Sequence, residues 1–143
     1  MQISVVLPQH IEEVWPKVEE YLAGAAKYTY GRYEVDDIKS LITEYDWLLW
    51  IAFEEGGNVK GTVVTHFIDY PRARYLSCPF VAGEDLDSWK APMLNTLKRW
   101  ARDSYCDGLE SSARIGWERA LKDHDYKAIW QTFQMPAKPL DEE

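Results

Sequence analysis

Cysteine is scarce in this chain: Cys78 and Cys106 are the two in 143 residues. They form no CxxC or other paired pattern, so reduced thiols in a cytoplasmic setting are the simple reading. Long apolar runs are missing too. None approaches the ~18 residues that a membrane helix needs. The start, "MQISVVLPQH", has no basic segment followed by a long apolar one, so no signal peptide is expected. Positive charge is sparse. The net charge is −8 and the pI about 4.9. "LKRWAR" at 97–102 is one basic turn of a helix, not the stripe that displaces counterions from phosphates, so no nucleic-acid partner is expected. The 24 acids are spread along the whole chain, which argues for solubility charge over a nucleic-acid mimic. The three histidines, His10, His66 and His124, make no HxxxH spacing, so no metal site is expected. Internal repeats and low-complexity stretches are absent.

What is present is a heavy aromatic load, with seven Trp, nine Tyr and four Phe. These rings either fill a core or line a groove or partner surface. Apolar residues make up 46 % of a chain long enough for one domain with a proper core. We expect that domain over 1–135, with "PAKPLDEE" trailing as a proline-spaced, frayed acidic tail over 136–143.

The elements follow from periodicity. "ISVVL" (3–7) reads as a strand. Ile11, Val14, Val18, Leu22 and Ala25 then mark one helix face. Pro16 means either a turn before a helix starting near it or a kink within one. "EVDDIKSLI" (34–42) is a second helix, and "KYTYGRY" (27–33) the loop before it. "WLLWIAFEE" (47–55) is an apolar run suited to a strand covered on both faces. "EGGN" makes a tight turn into the return strand 59–70. "YLSCPFVA" (75–82) is a third strand, with Pro79 at an edge or a bulge. From Ser88, Trp89, Met93, Leu97 and Trp100 share a helix face. A strand (106–114), a helix (115–126) and a final strand (127–135) complete the order β-α-α-β-β-β-α-β-α-β. Helices are expected on both faces of one mixed sheet.

This order resembles the GNAT acyltransferase superfamily. The likeness is carried by "LNTLKRWARDSYCDGLESSARIGWERALKDHDYKAIWQTF" (94–133), similar to the family's helix, "C-D-x-(I/L)" strand, helix ending in "G-F", and last strand. The hairpin "WLLWIAFEEGGNVKGTVVTHF" (47–67) is similar as well. The general flavour is close to small GNAT-like proteins of tailed phages, whose setting would be host cytoplasm or virion. The resemblance implies an α/β (α+β) fold with a mixed, mostly antiparallel sheet. It implies acetyl transfer from acetyl-CoA to an amine.

In the family, a loop "(Q/R)-x-x-G-x-(G/A)" after the fourth strand holds the CoA pyrophosphate on free N–H groups at a helix N-terminus. Here "DLDSWK" (85–90) takes that place. Asp85 stands at Gln/Arg, Ser88 at the first glycine, Trp89 between, and Lys90 or Ala91 near the second. Asp85 and Asp87 repel a diphosphate, which Lys90 and the Ser88 hydroxyl partly offset. Asp87 or Ser88 is equally suited to be a plain N-cap. The resemblance further implies that Val81, Ala82 and Gly83 pass the thioester arm, and that Ser112 and Arg114 lie along it. Many members carry a Tyr before "G-F" that protonates the leaving thiolate. "G-F" matches Asp125-Tyr126, and no Tyr lies between Cys106 and Tyr126. Glu54, His66 and Tyr126 are left as catalytic candidates, each with a structural alternative: a hairpin-turn charge, a hydrogen-bonded histidine and a core ring. Cys78 has no His or cation paired with it. Two functions follow: an N-acyltransferase with a degenerate CoA loop, or a GNAT-like scaffold that binds a protein partner, in phage assembly or host interference.

Overall fold

The computed structural model describes residues 1–113 and 117–137. A five-stranded sheet, in the order β1-β2-β3-β4-β5, runs through the first of two units, Met1–Ala113. Its strands are β1 (Gln2–Val5), β2 (Leu48–Phe53), β3 (Val59–Asp69), β4 (Arg74–Gly83) and β5 (Gly108–Glu110). The first four pair antiparallel, and β5 runs parallel to β4. The sheet is mixed and mostly antiparallel, as expected. A three-residue β5 is much shorter than the strand the sequence suggested over 106–114.

Helices α1 (Ile11–Ala26) and α2 (Val35–Glu44) cover one face, and α3 (Leu86–Asp103) covers the other. On α1 the buried stripe is Ile11, Trp15, Val18, Leu22 and Ala26. Its three- and four-residue steps hold the helix through Pro16, which forfeits one backbone bond while the stripe keeps its burial. These residues pack with Ile38, Ile42, Leu49, Val64 and Phe80. On α3 the stripe is Trp89, Met93, Leu97 and Ala101, packed on Trp50, Ala52, Val63, Leu76 and Cys78. Trp100, expected inward, sits at the rim. Its ring lies 6.0 Å from Trp50 and 6.3 Å from Phe67. The strand "LLWIAF" alternates between these two cores, which is why it reads as continuously apolar. The α2 N-terminus is closed by the Glu34 N–H donating to Asp37 Oδ2 at 2.8 Å.

In the second unit, Arg114–Glu143, the described elements are α4 (Trp117–Leu121) and a 3₁₀ turn at Lys122–His124. Asp125 follows at φ +65°, the left-handed conformation that glycine usually takes after a helix. That geometry suits the glycine the resemblance puts at this position. The final strand expected over 127–135 is not formed. These residues carry no regular structure, and Ile129, Trp130 and Phe133 are exposed. Burial of such side chains and cross-strand pairing, not local propensity, decide whether a strand forms.

Candidate functional site

The site begins where two strands part. β4 pairs with β3 along nearly its whole length but with β5 only through Tyr75–Ser77. From Pro79 to Gly83 the β5-side edge of β4 has no strand neighbour among the described residues. A bulge lies beside the parting. Between the pairs Val64–Phe80 and His66–Ser77, β3 advances two residues and β4 three. Pro79 sits in this bulge, where its missing N–H costs no ladder bond. The bulge sends Cys78 to the α3 side and Phe80 to the α1 side.

The open edge carries backbone hydrogen-bonding groups. The Glu84 N–H donates to the Lys60 carbonyl at 2.9 Å, so Glu84 faces β3. Alternation along an antiparallel ladder turns Ala82 and Phe80 the same way. Val81 and Gly83 therefore point their N–H and C=O groups away from β3, toward the open edge.

The joint after β4 is tighter than the sequence implied. β4 ends at Gly83 and α3 starts at Leu86, so two residues, Glu84 and Asp85, make the whole connection. Ser88, Trp89, Lys90 and Ala91 lie inside the helix, not in a loop. The cap position belongs to Asp85, at φ +55°, and not to Asp87 or Ser88. The Ser88 hydroxyl donates to the Asp85 carbonyl at 2.7 Å. Gly83 has φ +143°, and a side chain there would overlap the Lys60 carbonyl oxygen. Its glycine thus serves close packing on β3. Trp89 does not plug the strand parting. It is buried under β3 against Gly61, where a methyl group would overlap the indole. Its Nε1–H donates to the Glu84 carbonyl at 2.9 Å.

Charge around this turn is negative. Glu84, Asp85 and Asp87 meet two lysines, both engaged. Lys60 Nζ lies 3.2 Å from Glu84 Oε1, and Lys90 Nζ lies 3.4 Å from Asp87 Oδ1. Glu84 Oε2 accepts from the Tyr21 hydroxyl at 2.8 Å. Burial, with the Glu84 hydrogen bond and charge acting the same way, pushes the Tyr21 phenol up to about 12. The hydrogen bonds from Tyr21 and Lys60 hold the Glu84 carboxyl below the usual range. Among the described residues, the N–H groups of Asp85, Leu86 and Asp87 have no backbone partner. The amides suit an amide-bearing arm at the strand edge. The carboxylates and the two-residue turn do not suit a diphosphate.

A second feature lies at the parting itself. Strand register puts His66, Ser77 and Glu110 in one row across β3, β4 and β5, on the α1–α2 face. The His66 ring stacks on Trp47 at 3.8 Å with 2° between planes. Burial lowers the His66 pKa, opposed by a hydrogen bond to the Phe67 backbone and by the Glu110 charge. Glu110 Oε2 accepts from the Tyr70 hydroxyl at 2.6 Å. Glu54 is not part of this group. It caps the β2–β3 turn, its N–H donating to the Asn58 carbonyl. From Val59 to His66 the strand spans about 23 Å. Tyr126 belongs to the second unit, and Ser112 follows β5 as an exposed residue. Arg114 lies outside the described residues. Burial pushes the Cys78 thiol up to about 12, with Ser111 opposing, so it is a poor nucleophile. No group of three His, Cys, Asp or Glu converges among the described residues. No helix there is long and apolar enough to cross a membrane. The Tyr21–Glu84–Lys60 and Tyr70–Glu110 contacts had no sequence signal, since their partners lie 24 to 63 residues apart.

No protein-family model matches the sequence, and no curated protein sequence aligns with it. Solved structures do match. A ribosomal-protein-alanine N-acetyltransferase from Brucella melitensis biovar Abortus 2308 superposes with TM-score 0.68 at 15 % identity, covering 95 % of this chain and 99 % of that one. An aminoglycoside acetyltransferase from an uncultured soil metagenomic sample, solved with sisomicin, gives TM-score 0.67 at 8 % identity, covering 96 % and 95 %. At these identities the likeness is one of fold. With the parted β4 and β5, it identifies the architecture as the GNAT acetyltransferase fold.

Proposed function

We propose that this chain is a GNAT-fold N-acyltransferase that holds an acyl-thioester arm at the open edge of β4 and transfers the acyl group to an amine. The observation that carries this is the outward-facing N–H and C=O of Val81, beside a bulge and a parted β5. An amide-containing arm such as pantetheine would add to this edge as a partial strand, with Val81, Ala82 and Gly83 along it. Acetyl-CoA supplies the activated acyl group. The amine nitrogen bonds to the thioester carbonyl carbon, the C–S bond breaks, and the thiolate leaves. His66, held neutral by burial, is the group best placed at the parting to take the amine proton. Trp89 is buried and contacts no ligand in this reading, and the diphosphate end of the cofactor is held weakly.

Calorimetry with acetyl-CoA and with acetyl-pantetheine tests this. Both should bind, with affinities within about tenfold, about 1.4 kcal/mol. Val81→Pro removes an edge N–H without removing a ladder bond to β3, and should weaken both equally. If neither ligand binds at millimolar concentration, the reading is wrong. The acidic β4–α3 turn would then favour the second reading, a non-catalytic GNAT-fold binding protein, phage-encoded and acting in virion assembly or on a host protein.

A further inference from the structure

We infer that Glu110 selects the acceptor, by holding one ammonium of a short aliphatic diamine whose other nitrogen lies toward His66. This rests on the reading that the chain transfers an acyl group to an amine. The observations begin with register. Glu110 is the last β5 residue paired to β4 before the two strands part, and it shares one row with Ser77 and His66. Trp47 closes the far end of that row, stacked on the His66 ring at 3.8 Å. Ser77, in the middle, is small and buried, so the row is raised at His66 and Glu110 and low between them. Two strand spacings, about 10 Å, separate the two ends at the backbone. An acceptor that reaches both ends carries its nitrogens several ångströms apart, as a four-carbon diamine does.

Glu110 is aimed and left without a counter-charge. The Tyr70 hydroxyl donates to its Oε2 at 2.6 Å, which fixes the carboxylate and leaves Oε1 to accept from a ligand. The hydrogen bond to Glu110 raises the Tyr70 pKa, so the phenol stays a donor. The Tyr70 ring lies 6.1 Å from Tyr75, and the Tyr75 ring leans over Gly108, two residues before Glu110, where a side chain would crowd it. These rings flank the carboxylate on its own face, and aromatic faces favour a cation. Among the described residues no Lys, Arg or His pairs with Glu110. Arg74 lies on the opposite face, its guanidinium 4.1 Å over the Phe67 ring and 3.6 Å from Asp69. β5 takes its packing from β4 and, on that opposite face, from α3, so Glu110 keeps partial exposure on the α1–α2 side. Tyr70 is thus a positioning residue, and the carboxylate it holds is the group that meets the acceptor.

Calorimetry on the full chain with 1,4-diaminobutane and with n-butylamine, at low ionic strength and without an acyl donor, tests this. One ammonium beside a half-exposed carboxylate is worth about tenfold in affinity, so the diamine should bind about tenfold more tightly than the monoamine. Glu110→Gln keeps the shape and an acceptor for Tyr70 but removes the charge, and should bring the two amines level. Tyr70→Phe keeps the charge but frees the carboxylate, and should narrow the preference to about threefold. Glu54→Gln, an equal loss of charge at the β2–β3 turn, should leave the preference intact. With acetyl-CoA present, Glu110→Gln should raise KM for the diamine about tenfold and change kcat by about twofold or less. Equal affinity of the parent for both amines, no diamine binding at millimolar concentration, a preference that survives Glu110→Gln, or the same loss in Glu54→Gln would overturn the inference. Failure of acetyl-pantetheine to bind any of these proteins would instead overturn the acyl-arm reading, with the amine comparison still decided. A melting temperature within a few degrees of the parent keeps Glu110→Gln interpretable, and Glu110→Ala, which also removes the charge, replaces it otherwise.

Discussion

Gly61 and Trp89 are a coupled pair, and substituting both measures how firmly the β4–α3 joint is held. A methyl group on Gly61 would overlap the buried Trp89 indole. The ring cannot retreat, because its Nε1–H is bound to the Glu84 carbonyl and its other side faces the α3 core. Gly61→Ala should cost about 1–3 kcal/mol through overpacking. Trp89→Phe shrinks the ring and removes the hydrogen bond, and should cost about 2–4 kcal/mol. In the double variant the smaller ring leaves room for the methyl group. The total should fall short of the sum by about 1 kcal/mol or more. Urea unfolding by tryptophan-independent circular dichroism reads these differences, each 1 kcal/mol moving the melting temperature by about 3–4 °C. Costs that add to within about 0.5 kcal/mol would show that the two residues do not press on each other, and the packing argument for the joint would fail.

Two further outcomes follow from the titrating groups. Cys78, with its thiol buried and pushed up to about 12, should resist a thiol reagent at pH 8 in the folded protein, while the half-buried Cys106 reacts. Rapid labelling of two thiols per chain without denaturant would contradict the burial. His66 has a folded pKa below its ordinary 6.5, so between these two values the unfolded chain binds more protons. Its contribution to stability is complete above pH 6.5 and is lost as pH falls through the folded value. His66→Gln should flatten the fall in melting temperature over that acid range, and an unchanged slope would refute the assignment.

Local pattern made several elements legible. The α3 stripe of Trp89, Met93 and Leu97 is spaced every four residues, and "EGGN" between two β-rich runs marks a hairpin. Pro79 already pointed to an edge or a bulge, because proline cannot donate to a ladder. Other expectations failed where neighbours decide. Ala101 replaces Trp100 in the core, because the helix presents its face in register with Leu97 and a small residue fits against the sheet there. Of the expected loop at 85–90, Asp85 is the cap and 86–90 are helix, in which Trp89 is buried on the α3 stripe.

Composition, periodicity and turn chemistry thus determined by themselves that this is one sheet sandwiched by amphipathic helices, in an order that matches the GNAT fold. Those signals are short-range, written within a few residues of each element. The tertiary structure alone decided where β4 and β5 part, which backbone groups face the opening, and that Glu84 draws Lys60 and Tyr21 around the start of α3. Each of these depends on strand register and on residues 24 to 63 positions apart. Such contacts form only when the whole sheet closes, and no local pattern encodes them.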